Sequence, residues 1–111
     1  MDICRGDIVA FFSLSAPEKT HTALVIQNDV GNRYSANTIV VPANFVIPEY
    51  FYPIQIHIPA EEVFGLNKAL VIDTGIIFSI SKDKIQERLG HCSLQFMNKV
   101  NEALKISLGI F

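Results

Sequence analysis

The stretch from Thr22 to Asn44, TALVIQNDVGNRYSANTIVVPAN, sets two apolar runs on either side of a polar joint. The Asn, Asp and Arg side chains of that joint either carry chemistry or only turn the chain. Arg33 is its single cation, and Tyr34 beside it offers a ring on which a nucleobase could stack. Tyr50, Phe51 and Tyr52, in EYFYP, form a second aromatic group suited to base stacking, to a core or to dimer packing. His21, His57 and His91 fall in no metal-ligand spacing such as HxH or HExxH. Cys4 and Cys92 belong to no CxxC pair and read as two reduced thiols. No metal and no other cofactor is expected.

Charge bounds the partners. Among 111 residues, half are hydrophobic and 18% charged, too apolar for disorder and rich enough to suggest a buried subunit interface. Residues 1–66 hold three Lys/Arg against seven Asp/Glu, and residues 67–111 hold six against four. Neither half is a basic patch that would grip phosphate backbones broadly, which leaves room only for a short single-stranded segment held by a few contacts. No apolar run is long enough to span a membrane, and MDICRGD lacks the apolar stretch of a signal peptide. A cytoplasmic protein of one domain, residues 1–111, is expected.

The elements that must position these residues read mostly as strands. DIVAFFSL (7–14) is β-branched and aromatic, SAPEKTHT (15–22) is a polar loop, and ALVIQN (23–28) is a continuous apolar run suited to a central strand. DVGNRYSAN (29–37) reads as a loop and TIVVPAN (38–44) as a third strand, with Pro42 at an edge, a bulge or the strand's end. PIQIHIP (53–59) alternates, AEEVFGL (60–66) is one helical turn, and ALVID (69–73) and GIIFSIS (75–81) are two strands or one bent strand. Lys82 and Lys84 read as residues that keep the following edge soluble. Ser93 as N-cap and Gly109 after the last turn bound a helix over 94–108, with Leu94, Met97, Val100, Leu104 and Leu108 as its apolar stripe. Five or six antiparallel strands followed by one helix make a strongly bent sheet or half-open barrel.

RGDIV (5–9), ALVIQNDVGNRYS (23–35), IVVP (39–42) and MNKVNEALKISLGI (97–110) resemble, in order and spacing, the MazF/PemK/Kid toxins of type II toxin–antitoxin systems. That resemblance implies a mainly β fold with a C-terminal α-helix, an SH3-like half-open barrel. It also implies a homodimer, a cognate antitoxin whose disordered tail wraps the dimer, and possible operator DNA binding through that antitoxin. The implied activity is ribosome-independent cleavage of single-stranded RNA without metal, the 2′-hydroxyl being the nucleophile.

Matched residue by residue, the resemblance puts His21 where the family keeps an Arg and Asn44 where it keeps a Thr or Ser, while Phe78 falls near a further Arg. His21 is then a replacement acid or base, or else an ordinary loop histidine; Asn44 contacts a phosphate, or else ends a strand. Arg33, Lys19, Tyr34 and Asp73 are the implied substrate contacts, Asp73 alternatively pairing with Arg33 or with an antitoxin residue. Three readings follow: an endoribonuclease with a remodelled site, a catalytically silent relative that keeps the antitoxin or nucleic acid, and a gyrase-directed toxin of the related CcdB type. The last rests on YPIQIHI (52–58) and the terminal LGIF.

Overall fold

The computed structural model describes residues 2–13 and 15–111, and among them are eight strands in antiparallel pairs, two α-helices and two single 3-10 turns. Strands β1 (Asp7–Ser13), β2 (Ala16–Val25) and β3 (Asn37–Asn44) form the centre, with helix α1 (Asp29–Tyr34) between β2 and β3. Then come β4 (Gln55–Ile58), β5 (Val63–Phe64), β6 (Leu70–Asp73), β7 (Phe78–Ser81), β8 (Ile85–Cys92) and helix α2 (Leu94–Leu108). The strands pair in the order β4-β6-β3-β2-β1-β8-β5, and β7 lies against β3.

The central strands are continuous in apolar residues because both of their faces are buried. Ile8, Leu24 and Val41 face a core that includes Phe96, Met97 and Val100 of α2 and Ile58, Leu70 and Ile72 of β4 and β6. Their neighbours Val9, Ala23, Val25 and Val40 face a second core with Ile3, Phe11 and Ile80. Period-two alternation along each strand therefore feeds two cores.

Strand β3 changes partner along its length. Residues Asn37–Val40 pair with β7, whereas Ala43 and Asn44 pair with β6. Pro42, paired with Ala23 of β2, falls in the gap between the two ladders, where its missing N–H leaves no bond unmade.

Three expectations need correction. Residues 16–22 are not a loop but the outer half of β2, where Thr20, His21 and Thr22 pair with Phe12, Phe11 and Ala10. The joint at 29–37 is not a loop either. Asn28 caps α1 by accepting the Gly31 N–H at 2.8 Å, and an ST/Asx-rich polar stretch thereby becomes helix. The Asn32 side chain, 3% exposed, fastens that helix: its Oδ1 accepts the Thr38 hydroxyl at 2.6 Å and its Nδ2 donates to the Gln27 carbonyl at 2.9 Å. Third, IQERLGHC (85–92), which carries no clear strand signal in its sequence, forms β8 and pairs with both β1 and β5. Gly90 permits this: a Cβ there would sit 2.7 Å from the Phe64 carbonyl oxygen.

Helix α2 has the expected ends. The Ser93 hydroxyl accepts the Phe96 N–H at 3.2 Å, and Gly109 closes the helix at φ 68°, in the left-handed region. Its buried stripe is Phe96, Met97, Val100 and Ala103, whereas Leu94 and Leu108 are exposed. Leu94 lies roughly 120° around the axis from Val100 at 3.6 residues per turn, too far round to reach the sheet.

Candidate functional site

His21 and Asn44 reach the same cavity from adjacent strands. His21 lies in the outer half of β2 and Asn44 is the last residue of β3, and both line a hollow of about 360 Å³. Its other walls include Thr20, Thr22, Phe45 and Phe78, over a floor containing Phe11. The His21 ring lies over Phe11 at 5.4 Å between centroids, and Phe11 meets Phe78 at 6.0 Å. Nε2 of His21 is enclosed and, among the described residues, has no hydrogen-bond partner. That leaves Nδ1 as the ring nitrogen for exchange with a bound molecule. None of the described residues lining this cavity carries a permanent charge. Hydroxyls, one amide and one imidazole can therefore hydrogen-bond or pass a proton there, but no fixed cation stands ready for a phosphate.

The other expected contacts lie apart. Arg33 projects from α1 into a different hollow of about 530 Å³, which it shares with Asp29, Lys82 and Cys4. Its guanidinium carbon sits 5.6 Å from the centroid of the Tyr34 ring, and Tyr34 is 77% exposed. Lys19 is exposed on β2, two residues from His21 and thus on the same side of the pleat. Asp73 uses Oδ1 to accept the Gly75 N–H at 2.8 Å, a turn of its own backbone rather than a pair with Arg33. Tyr50, Phe51 and Tyr52 are exposed and so do not form a core.

Several residues of chemical interest lie outside the sequence expectations. Phe11 and Thr20 join the His21 cavity only through the β1–β2 register, which a loop at 15–22 would not supply. At the other end of β1, the buried Asp7 carboxylate accepts from His91 Nδ1 at 2.8 Å, from Arg88 at 3.3 Å and from the Cys4 N–H at 2.7 Å. Asp7 and His91 face each other across β1 and β8, a pairing invisible until β8 is recognised. Burial raises the Cys4 thiol pKa, with Asp7 and Asp29 adding to the effect. Cys92 is pushed up to about 11 by complete burial, with a smaller contribution from Glu62.

A sequence profile described as PemK-like, MazF-like toxin of type II toxin–antitoxin system matches residues 5–108. The chain belongs to this family. Among similar proteins of the MazF-like group is "Endoribonuclease EndoA" of Bacillus subtilis (strain 168), 37% identical over 116 residues that cover 99% of this chain and 97% of that one. "Endoribonuclease MazF" of Staphylococcus saprophyticus is 34% identical over 87 residues, covering 78% and 72%. A mycobacterial endoribonuclease solved with its cognate antitoxin matches the fold with a TM-score of 0.81 at 22% identity, over 98% of this chain and 97% of that one. A MazE–MazF structure from Deinococcus radiodurans gives 0.81 at 19% identity over the whole of both chains. The mainly antiparallel sheet with a C-terminal helix is thus the MazF fold.

Proposed function

We propose that this MazF-like chain is the toxin of a type II toxin–antitoxin pair and cleaves single-stranded RNA at the cavity shared by His21 and Asn44. Family membership and two relatives named endoribonucleases support the activity. The convergence of His21 and Asn44 on one hollow carries the choice of site. In this reading the substrate's own 2′-hydroxyl attacks phosphorus. His21 Nδ1 takes the hydroxyl proton, the O2′–P bond forms and the P–O5′ bond breaks, and the proton passes to the departing 5′-oxygen. The Asn44 amide and the Thr20 and Thr22 hydroxyls can bond the non-bridging oxygens as charge builds on them. Arg33, Lys19, Tyr34 and Asp73 stand further out and would touch flanking nucleotides at most. The same proposal includes a homodimer, a cognate antitoxin peptide as regulator, operator DNA contacted through that antitoxin, and a cytoplasmic location. Among the described residues no helix is long and apolar enough to cross a membrane.

Incubation of the purified protein with a long unstructured RNA in EDTA tests this directly. Cleavage is expected, and His21→Ala should slow it by roughly 10²–10⁴-fold, the usual contribution of a positioned acid or base. Asn44→Ala should slow it without moving the pH profile, because an amide does not titrate. A second reading draws on the missing charge in the cavity wall: a silent relative that binds antitoxin or nucleic acid without cutting. Absence of cleavage by the unmodified protein, with antitoxin binding retained, would establish that reading instead.

A further inference from the structure

The Phe11–Phe78 pair that floors the His21 cavity is also the wall of a second hollow. The same two rings border a space of about 400 Å³, with Phe12 and Ile80, four serines (Ser13, Ser15, Ser79 and Ser81) and Lys84. The two hollows share this aromatic pair, and only the second has a cation in its lining. The His21 hollow is lined by neutral groups, whereas the second combines hydroxyls with that cation. Lys84 stands at the end of the Lys82–Lys84 turn and is partly buried. Among the described residues its ammonium makes no salt bridge and no hydrogen bond. Lys82, by contrast, is tied to the Asn32 carbonyl. Some of the serines are already held: the Ser13 and Ser15 hydroxyls bond each other at 2.8 Å, and the Ser81 hydroxyl accepts the Asp83 N–H at 3.3 Å. A partly buried lysine that shares a hollow with several hydroxyls, with no carboxylate in the lining, suits a single anionic group.

We infer that the two hollows form one groove, and that Lys84 with the serines around it binds the phosphate of a nucleotide adjoining the one held at His21 and Asn44. This rests on the reading of the chain as an RNA-binding toxin. The substrate class is a single strand at least two nucleotides long, crossing the Phe11–Phe78 pair. The pair offers a ring edge or face to a base, while the cation lies one step along the backbone. A net charge of −2 makes such a localised contact more consequential, since the chain has no broad basic surface to replace it.

The test is equilibrium binding of a fluorescent, fully 2′-O-methylated oligoribonucleotide, which cannot be cleaved, over a series of salt concentrations. For wild-type protein log K should fall linearly with log[salt]. In Lys84→Met the slope should become shallower by about 0.7, the value for one phosphate contact on a single strand, and Lys84→Arg should restore it. Phe78→Leu should weaken binding with the slope unchanged, because stacking releases no counterions. Thermal melting of each variant shows whether it is folded. Wild-type binding with the same slope in Lys84→Met overturns the inference and leaves the RNA reading standing. No RNA binding by the wild-type protein overturns both. A Lys84→Met effect confined to an acidic peptide, such as an oligoglutamate, also overturns the phosphate assignment.

Discussion

Cys92 and Cys4 are the same side chain in opposite surroundings, and they should behave differently. Cys92 is fully buried, and the loss of water around its sulfur raises its pKa from an ordinary 9.0 to about 11. The folded thiol holds its proton at pH values where the unfolded thiol loses it. The resulting stability is therefore fully present below pH 9 and lost as the pH rises through 11. At 1.36 kcal/mol per pKa unit the difference is worth about 2–3 kcal/mol. Urea unfolding between pH 8 and pH 11 should show this decline, and Cys92→Ala should lose the thiol's part of it. An aromatic disulfide reagent at pH 8 should modify only Cys4 in the native protein and both thiols in urea. Rapid labelling of Cys92 in the native state would contradict its burial.

The joint between β2 and β3 depends on one side chain more than any other. Asn32 links α1 to Thr38 and Gln27, and its own first turn through Asp29, by both atoms of its amide. Asn32→Ala would leave the Thr38 hydroxyl and the Gln27 carbonyl without these partners in a buried place, at a cost of about 1–3 kcal/mol for each group left unsatisfied. A fall in the urea midpoint with an unchanged m-value would be the signature. Asn32→Asp should not recover the loss at neutral pH, because it sets a buried carboxylate where Nδ2 now donates to Asp29 Oδ1 at 3.2 Å and to the Gln27 carbonyl. At this scale the sequence was most legible where a rule is local. Ser93 and Gly109 mark the ends of α2, and ALVI marks a doubly buried strand, because each signal depends on neighbours a few residues away. It was least legible where long-range pairing overrode local preference. The polar run at 16–22 becomes strand only because β1 lies beside it, and IQERLGHC becomes strand only between β1 and β5. The candidate site shares that limit. His21 and Asn44 could be named from resemblance, but the Phe11–Phe78 pair and Lys84 needed the registers of three strands.

Across the whole molecule the exposed apolar surface is unevenly distributed. The segment after β3 displays Phe45, Val46, Ile47, Tyr50, Phe51 and Tyr52, none of them buried. Phe45 also lines the His21 cavity, so this surface begins at the candidate site. Contiguous exposed apolar groups of this kind mark surfaces that associate, and a second copy of the chain is the occupant expected for a MazF-like toxin. Sedimentation equilibrium should give a dimer. Replacing Val46 and Tyr50 together by Asp should shift it toward monomer with an unchanged far-ultraviolet spectrum, because those side chains are 82% and 79% exposed and support no core. The association should also weaken on cooling and respond little to salt, as burial of apolar area does and ion pairing does not. A dimer of undiminished strength in the double variant would move the contact to another exposed apolar surface, such as the end of α2 at Leu108, Ile110 and Phe111. The location matters for the reaction: a partner seated on Phe45 would wall one side of the His21 cavity, so the monomeric variant should lose RNA affinity together with its dimerisation.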